Sequence, residues 1–260
     1  MLHYQIKGSG KEDLVLLHGL MESTEIWREM MPHLSDEFRL IMIDLPGHGK
    51  SPVYGEIHTM NFMAEKVKEV TDEVCNSKIH LLGHSMGGYT TLAFAERFPE
   101  ALKSITLFFS TYFADTEGKK ETRAKSFRII KEEYRKYVNA GVPNLFNPFE
   151  RDVLEGKINF SKEIALATNP EGALAAVKGI MQRPDRRAVL QQLQEKILLL
   201  TGRNDSAVDA PKTLAQLPDR QNIKAYMLDC GHNGQLEQPE ICAAIINQEL
   251  LHNLPKKLIL

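Results

Sequence analysis

The sequence predicts an α/β protein in which a mostly parallel central sheet has helices on both faces and carries an inserted helical cap. Short apolar runs alternate with helical patterns along most of the chain. The turn Gly83-His84-Ser85-Met86-Gly87-Gly88 stands where one such run passes into a helix-forming segment. Residues 112–190 break the alternation, offering helical patterns without a strand.

Strands are expected near 3–7, 14–18, 39–43, 79–83, 103–109, 196–201 and 223–228. Leu14 to Leu17, Ile79 to Leu82 and Ile197 to Leu200 are continuous apolar runs, the pattern of strands buried on both faces. Such a sheet binds ligands at the carboxyl ends of its strands. The division expected is a core of 1–111 and 191–260, with 112–190 as a cap belonging to the same domain.

Ser85 is the candidate nucleophile. A strand bending sharply into a helix holds its corner residue in strained geometry between small neighbours, here Gly83 and Gly87. That corner aims the hydroxyl outward and the Met86 amide at the place where an oxyanion would form. Gly-x-Ser-x-Gly also occurs in ordinary loops, so partners are required. They follow at strand ends: Asp205 after Ile197 to Leu200, and His232 after Ala225 to Leu228, in the chain order expected of a triad on this kind of sheet. Upstream, Leu14 to Leu17 ends in His18-Gly19-Leu20, and the Leu20 amide is the candidate second oxyanion donor.

On the motifs His18-Gly19, Asp44 to Ser51 (DLPGHGKS), Gly83 to Gly88 (GHSMGG), Gly202 to Asp205 (GRND) and Cys230 to His232 (CGH), the chain resembles the α/β-hydrolase superfamily over nearly its whole length. It looks most like small, capped, cofactor-free esterase, lactonase and haloperoxidase-like members. The resemblance implies Ser85 as nucleophile, His232 as base, Asp205 as acid, and Leu20 and Met86 as oxyanion-hole residues. It also implies hydrolysis of a small-molecule carboxylic ester or lactone through an acyl-enzyme. Fold and triad do not fix the reaction. Carbon–carbon bond hydrolysis, lyase or perhydrolase chemistry, and a noncatalytic ligand receptor stay open as rivals.

Within the cap, Phe127, Ile130, Tyr134 and Val138 recur at helical spacing and suggest one apolar face, and Asn169-Pro170-Glu171 reads as a helix start. Asp185 is placed to open a further helix. Phe146, Phe149 and Met181 are candidates for the pocket wall, against plain packing. Residues 112–190 hold 15 Lys or Arg against 11 Asp or Glu, an excess to which Lys119, Lys120, Arg123, Lys125, Arg128 and Lys131 contribute. A solvated helix face explains such a run, and a basic inner cap surface attracting a carboxylate-bearing ester is the sharper alternative.

Asp44 to Ser51 offers an acid, an imidazole and a hydroxyl together, yet its density of Pro and Gly reads as a turn held by local bonds. His84 is expected to pack beneath the elbow. Asp209, just before a proline-bearing helix start, reads as a cap; Asp115 is a weak rival for the triad acid. Cys230 reads as packing, because a thiol nucleophile needs its own base and Ser85 already occupies the elbow.

A net charge of −2 argues against a nucleic-acid partner, since such proteins carry a clustered basic face. No long apolar stretch suggests a membrane partner, and Met1 to Lys7 lacks the layout of a signal peptide, so a cytoplasmic location is expected. Three cysteines cannot all pair, and reduced thiols are expected. The histidines show no ligand spacing, which gives no support to a metal, and no phosphate loop implies a cofactor. The expected partner is a small-molecule substrate, and oligomeric state is left open.

Overall fold

A computed structural model describes residues 1–251; the end of the expected core range, 252–260, lies outside the described residues. Seven strands form one sheet: β1 (Tyr4–Lys7), β2 (Glu12–Leu17), β3 (Phe38–Ile43), β4 (Ile79–His84), β5 (Leu102–Phe108), β6 (Lys196–Gly202) and β7 (Ile223–Leu228). Their order is β1-β3-β2-β4-β5-β6-β7, with β1 antiparallel to β3 and every other pairing parallel. Each expected strand is found.

Alternation of side chains along the strands divides the core in two. Leu14 and Leu16 of β2 join Trp27, Phe108 and Leu198 on one face, whereas Val15 and Leu17 join Ile105, Leu107 and Leu199 on the other. Helices α1 (Met60–Val74) and α2 (Met86–Arg97) cover the second face, and α9 (Gly234–Glu237) and α10 (Pro239–Leu251) contribute to the first. Because both faces are covered, β2 and β6 carry the continuous apolar runs Leu14 to Leu17 and Ile197 to Leu200.

Between β5 and β6 the chain forms α3 (Glu117–Glu132), α4 (Tyr134–Gly141), α5 (Glu155–Ala167), α6 (Pro170–Met181) and α7 (Arg187–Gln192). Asn169 caps α6 by accepting from the Glu171 amide at 2.9 Å, with Pro170 in the first turn as expected. Asp185 accepts from the Arg187 amide at 3.0 Å and so introduces α7. The face expected from Phe127, Ile130, Tyr134 and Val138 is interrupted. The helix stops at Glu133 (φ −139°), leaving two residues on α3 and two on α4, of which Ile130 and Val138 are buried. Neither proline nor glycine marks that break. The first residue of α4 is anchored from outside, by its hydroxyl on the Ala165 carbonyl of α5 at 2.9 Å. No described helix is long and apolar enough to cross a membrane.

Candidate active site

Strand β4 runs straight into α2, and Ser85 is the single residue between them, at φ 50° and ψ −111°. Non-glycine residues hold this region only when their surroundings enforce it, at a cost of about 1–3 kcal/mol. Here the enforcement is hydrogen bonding on both sides of the corner. The Ser85 amide donates to the Phe108 carbonyl at 3.0 Å, and the Ser85 carbonyl accepts from the Gly88 amide at 2.9 Å and the Ser110 hydroxyl at 2.8 Å. A Cβ on Gly83 would stand 2.2 Å from the Gly87 backbone, and one on Gly87 would stand 2.3 Å from the Leu17 carbonyl oxygen. The tight bend therefore requires both glycines.

Asp205 and His232 come from the loops after β6 and β7 and meet in the fold. His232 Nδ1 lies 2.7 Å from Asp205 Oδ2, with both side chains almost wholly buried. Asp205 Oδ1 accepts from the Ala207 and Val208 amides at 2.7 and 2.9 Å, which fixes the carboxylate. An acceptor at Nδ1 puts the ring proton there and leaves the Nε2 lone pair free. Burial disfavours the imidazolium, but Asp205 outweighs it and holds His232 above the ordinary histidine range. His232 and Ser85 line one cavity of about 200 Å³, with no hydrogen bond between them. A nucleophile–base bond often tightens only in the substrate complex.

The Leu20 turn borders the same cavity, and Met86 opens α2. His18 Nδ1 lies 2.7 Å from the Gly19 carbonyl, while its Nε2 accepts from the Leu45 amide at 2.9 Å. The Gly19 amide donates to Glu22 Oε2 at 2.6 Å. Both backbone groups of Gly19, which precedes the Leu20 amide, are thus pinned. Among the described residues the Leu20 and Met86 N–H groups have no partner. Two unpartnered amides, one on the cavity wall and one directly after Ser85 at the start of α2, are suited to a developing oxyanion.

Other expected residues find different places. Asp115 is buried between Arg123 and Arg183, at 2.7 and 2.8 Å, and makes no bond to His232. Asp209 caps α8 (Ala210–Ala215), accepting from the Lys212 amide at 3.0 Å. Asp44 accepts from the Thr24 and Lys50 amides at 2.8 and 3.0 Å, and Ser51 donates to the Asp44 carbonyl at 2.6 Å, so this turn is structural. Cys230 is buried, which pushes its thiol far up, and all three cysteines are free. Among the described residues no group of three His, Cys, Asp or Glu side chains is placed to hold a metal.

The pocket wall differs from the one suggested by sequence. Phe146 is in the core, Phe149 is 84% exposed, and neither they nor Met181 border the cavity. Their neighbours Leu145 and Ile180 do, together with Tyr89, Arg123 and Tyr137. On α6 one helical step turns a side chain through about 100°, so Ile180 borders the cavity and Met181 does not; Phe146 lies in extended backbone and packs in the core. Glu22 is the polar residue that the sequence reading missed. It is buried at the cavity edge beside His84, and no sequence motif marks it.

A family model described as the alpha/beta hydrolase fold matches residues 14–156. The chain is 29% identical over 240 residues to a pimeloyl-[acyl-carrier protein] methyl ester esterase of Sodalis glossinidius, covering 87% of this chain and 88% of that one. It is 25% identical over 266 residues to a 2-hydroxy-6-oxononadienedioate/2-hydroxy-6-oxononatrienedioate hydrolase of Pseudomonas putida, covering 96% and 92%. Among solved structures it is similar to a thermophilic esterase from Thermogutta terrifontis with malate bound, at TM-score 0.88 and 28% identity over 96% of this chain and 93% of that one. The sheet order, the elbow after β4 and these matches converge, and the chain belongs to the α/β-hydrolase fold family as a hydrolase.

Proposed function

We propose that the protein hydrolyses a short carboxylic ester or lactone through an acyl-enzyme on Ser85, with His232 as base and Asp205 as the acid that orients it. The observation carrying this reading is the 2.7 Å bond from Asp205 to His232 Nδ1, on the wall of the cavity that Ser85 also borders. A serine hydroxyl is a weak nucleophile until a neighbour takes its proton. His232 Nε2 takes it as the oxygen attacks the carbonyl carbon, and Asp205 stabilises the imidazolium. The Leu20 and Met86 amides hold the oxyanion, His232 returns the proton to the leaving alcohol, and water then cleaves the acyl-enzyme by the same route. A cavity of about 200 Å³ favours a small acyl group, being below the usual range for ligand pockets. Helices α3–α7 act as its cap, and free cysteines suit the reducing cytoplasm.

A second reading is supported by the Pseudomonas putida relative and by an Escherichia coli hydrolase of the same printed name, 29% identical over 98% of this chain: water adds to a ketone carbonyl carbon and the adjacent carbon–carbon bond breaks, the departing carbon taking a proton. One panel separates the two. Purified protein is assayed on short esters, lactones and vinylogous diketones, beside Ser85→Ala and with a fluorophosphonate label. Ester turnover that falls about a thousandfold or more in Ser85→Ala, with labelling lost, is the expected result. Near-normal ester turnover by Ser85→Ala rejects the assignment, and turnover confined to diketones selects the second reading.

A further inference from the structure

Asp115 spends both carboxylate oxygens on two arginines. Its Oδ2 accepts from Arg123 Nε at 2.7 Å and its Oδ1 from an Arg183 terminal nitrogen at 2.8 Å. One negative charge between two guanidiniums leaves a net positive charge. The two arginines are not equivalent. Arg183 is almost wholly buried, donates to the Ile180 carbonyl at 3.0 Å and stacks 4.0 Å from the Tyr89 ring centre. Arg123, from α3, borders the reaction cavity, its side chain is 26% exposed, and its two terminal nitrogens have no partner among the described residues.

Arg123 shares the cavity wall with Tyr89 and Tyr137, and its Nε is held on Asp115 at 2.7 Å. Tyr89 stands one helical turn after Ser85, and its amide lies 3.3 Å from the Ser85 carbonyl. The other charges nearby do not neutralise Arg123. Glu22 is paired with His84 and Asp205 with His232, while exposed Lys119 donates to the carbonyl of Ala207, another cavity residue, at 3.1 Å. Two further cap cations make ordinary surface pairs, Lys120 with Glu117 and Arg128 with Glu132.

We propose that Arg123, seated on Asp115, is the receptor for a carboxylate on the substrate, so that the cavity takes short esters or lactones bearing a free carboxylate. A planar guanidinium held at Nε presents its remaining N–H groups in a fork matched to a carboxylate. The proposal rests on Ser85 being the reacting centre of this cavity, and it is tested by binding, which needs no turnover.

Calorimetry on Ser85→Ala compares methyl hydrogen succinate with methyl succinamate, its uncharged isostere. The acid is expected to bind about tenfold tighter or more, the scale of a hydrogen bond to a charged group. Adding Arg123→Gln is expected to remove that preference, and Arg123→Lys to keep part of it. Arg123→Gln leaves Asp115 paired with Arg183, and unchanged circular dichroism checks the fold. An acid-to-amide ratio under about threefold, including no measurable binding of the acid, overturns the proposal, as does a preference that survives Arg123→Gln. Turnover by the unmodified enzyme reports on the serine reading separately.

Discussion

His84 joins Glu22 to His232: its Nδ1 lies 2.8 Å from Glu22 Oε2, and its Nε2 lies 3.0 Å from the main-chain oxygen of His232. A carbonyl only accepts, so Nε2 carries a proton, and one further proton lies between Nδ1 and the carboxylate. Burial raises the Glu22 pKa, but His84 and the Gly19 amide overcome it and hold Glu22 below the usual carboxylate range. The buried pair connects the Gly19-Leu20 turn, the elbow and the His232 loop through two side chains.

Glu22→Gln is therefore expected to lower kcat with little change in KM, because it loosens the alignment of groups that act together rather than a substrate contact. Leaving a buried hydrogen-bonding group without its partner costs about 1–3 kcal/mol, so a lower Tm accompanies it. Since the folded-state pKa of Glu22 is depressed, its contribution to stability is full above the unfolded carboxylate pKa and is lost as pH falls through the folded value. Steady-state kinetics and thermal melts from neutral to acid pH check this. A Glu22→Gln enzyme matching the parent in kcat and Tm would contradict the positioning role.

The pH profile should report His232. Catalysis needs the neutral ring, and Asp205 holds its pKa up, so kcat/KM should rise with pH along a limb lying above the ordinary histidine value of about 6.5 and then flatten. Measurement on a neutral ester keeps substrate titration out of the profile. A limb centred below that value would oppose the assignment.

Gly87→Ala should fail as a fold before it fails as an enzyme. Its Cβ would meet the Leu17 carbonyl oxygen at 2.3 Å, and backbone on a central strand cannot move aside cheaply. Loss of about 1–3 kcal/mol or more is expected, read as a lower urea midpoint. Gly118→Ala, on the open side of α3 with nothing near its Cβ, is the control and should be neutral or slightly stabilising.

Local sequence determined the strands, the elbow, and the Ser85 and His232 positions that border one cavity. Leu14 to Leu17 and Ile197 to Leu200 are apolar at every step because both faces of a parallel sheet are covered, and Ser85 is framed by glycines because a strand-to-helix corner has no room for a Cβ. Tertiary structure alone decided which side chains face the cavity. Leu145 and Ile180 border it while Phe146 and Met181 do not, and the break at Glu133 that separates α3 from α4 has no proline or glycine to announce it. Glu22 and Arg123 owe their roles to partners far along the chain, His84 and Asp115 among them, and charge at such positions is set by burial and distance, neither of which is written in local sequence.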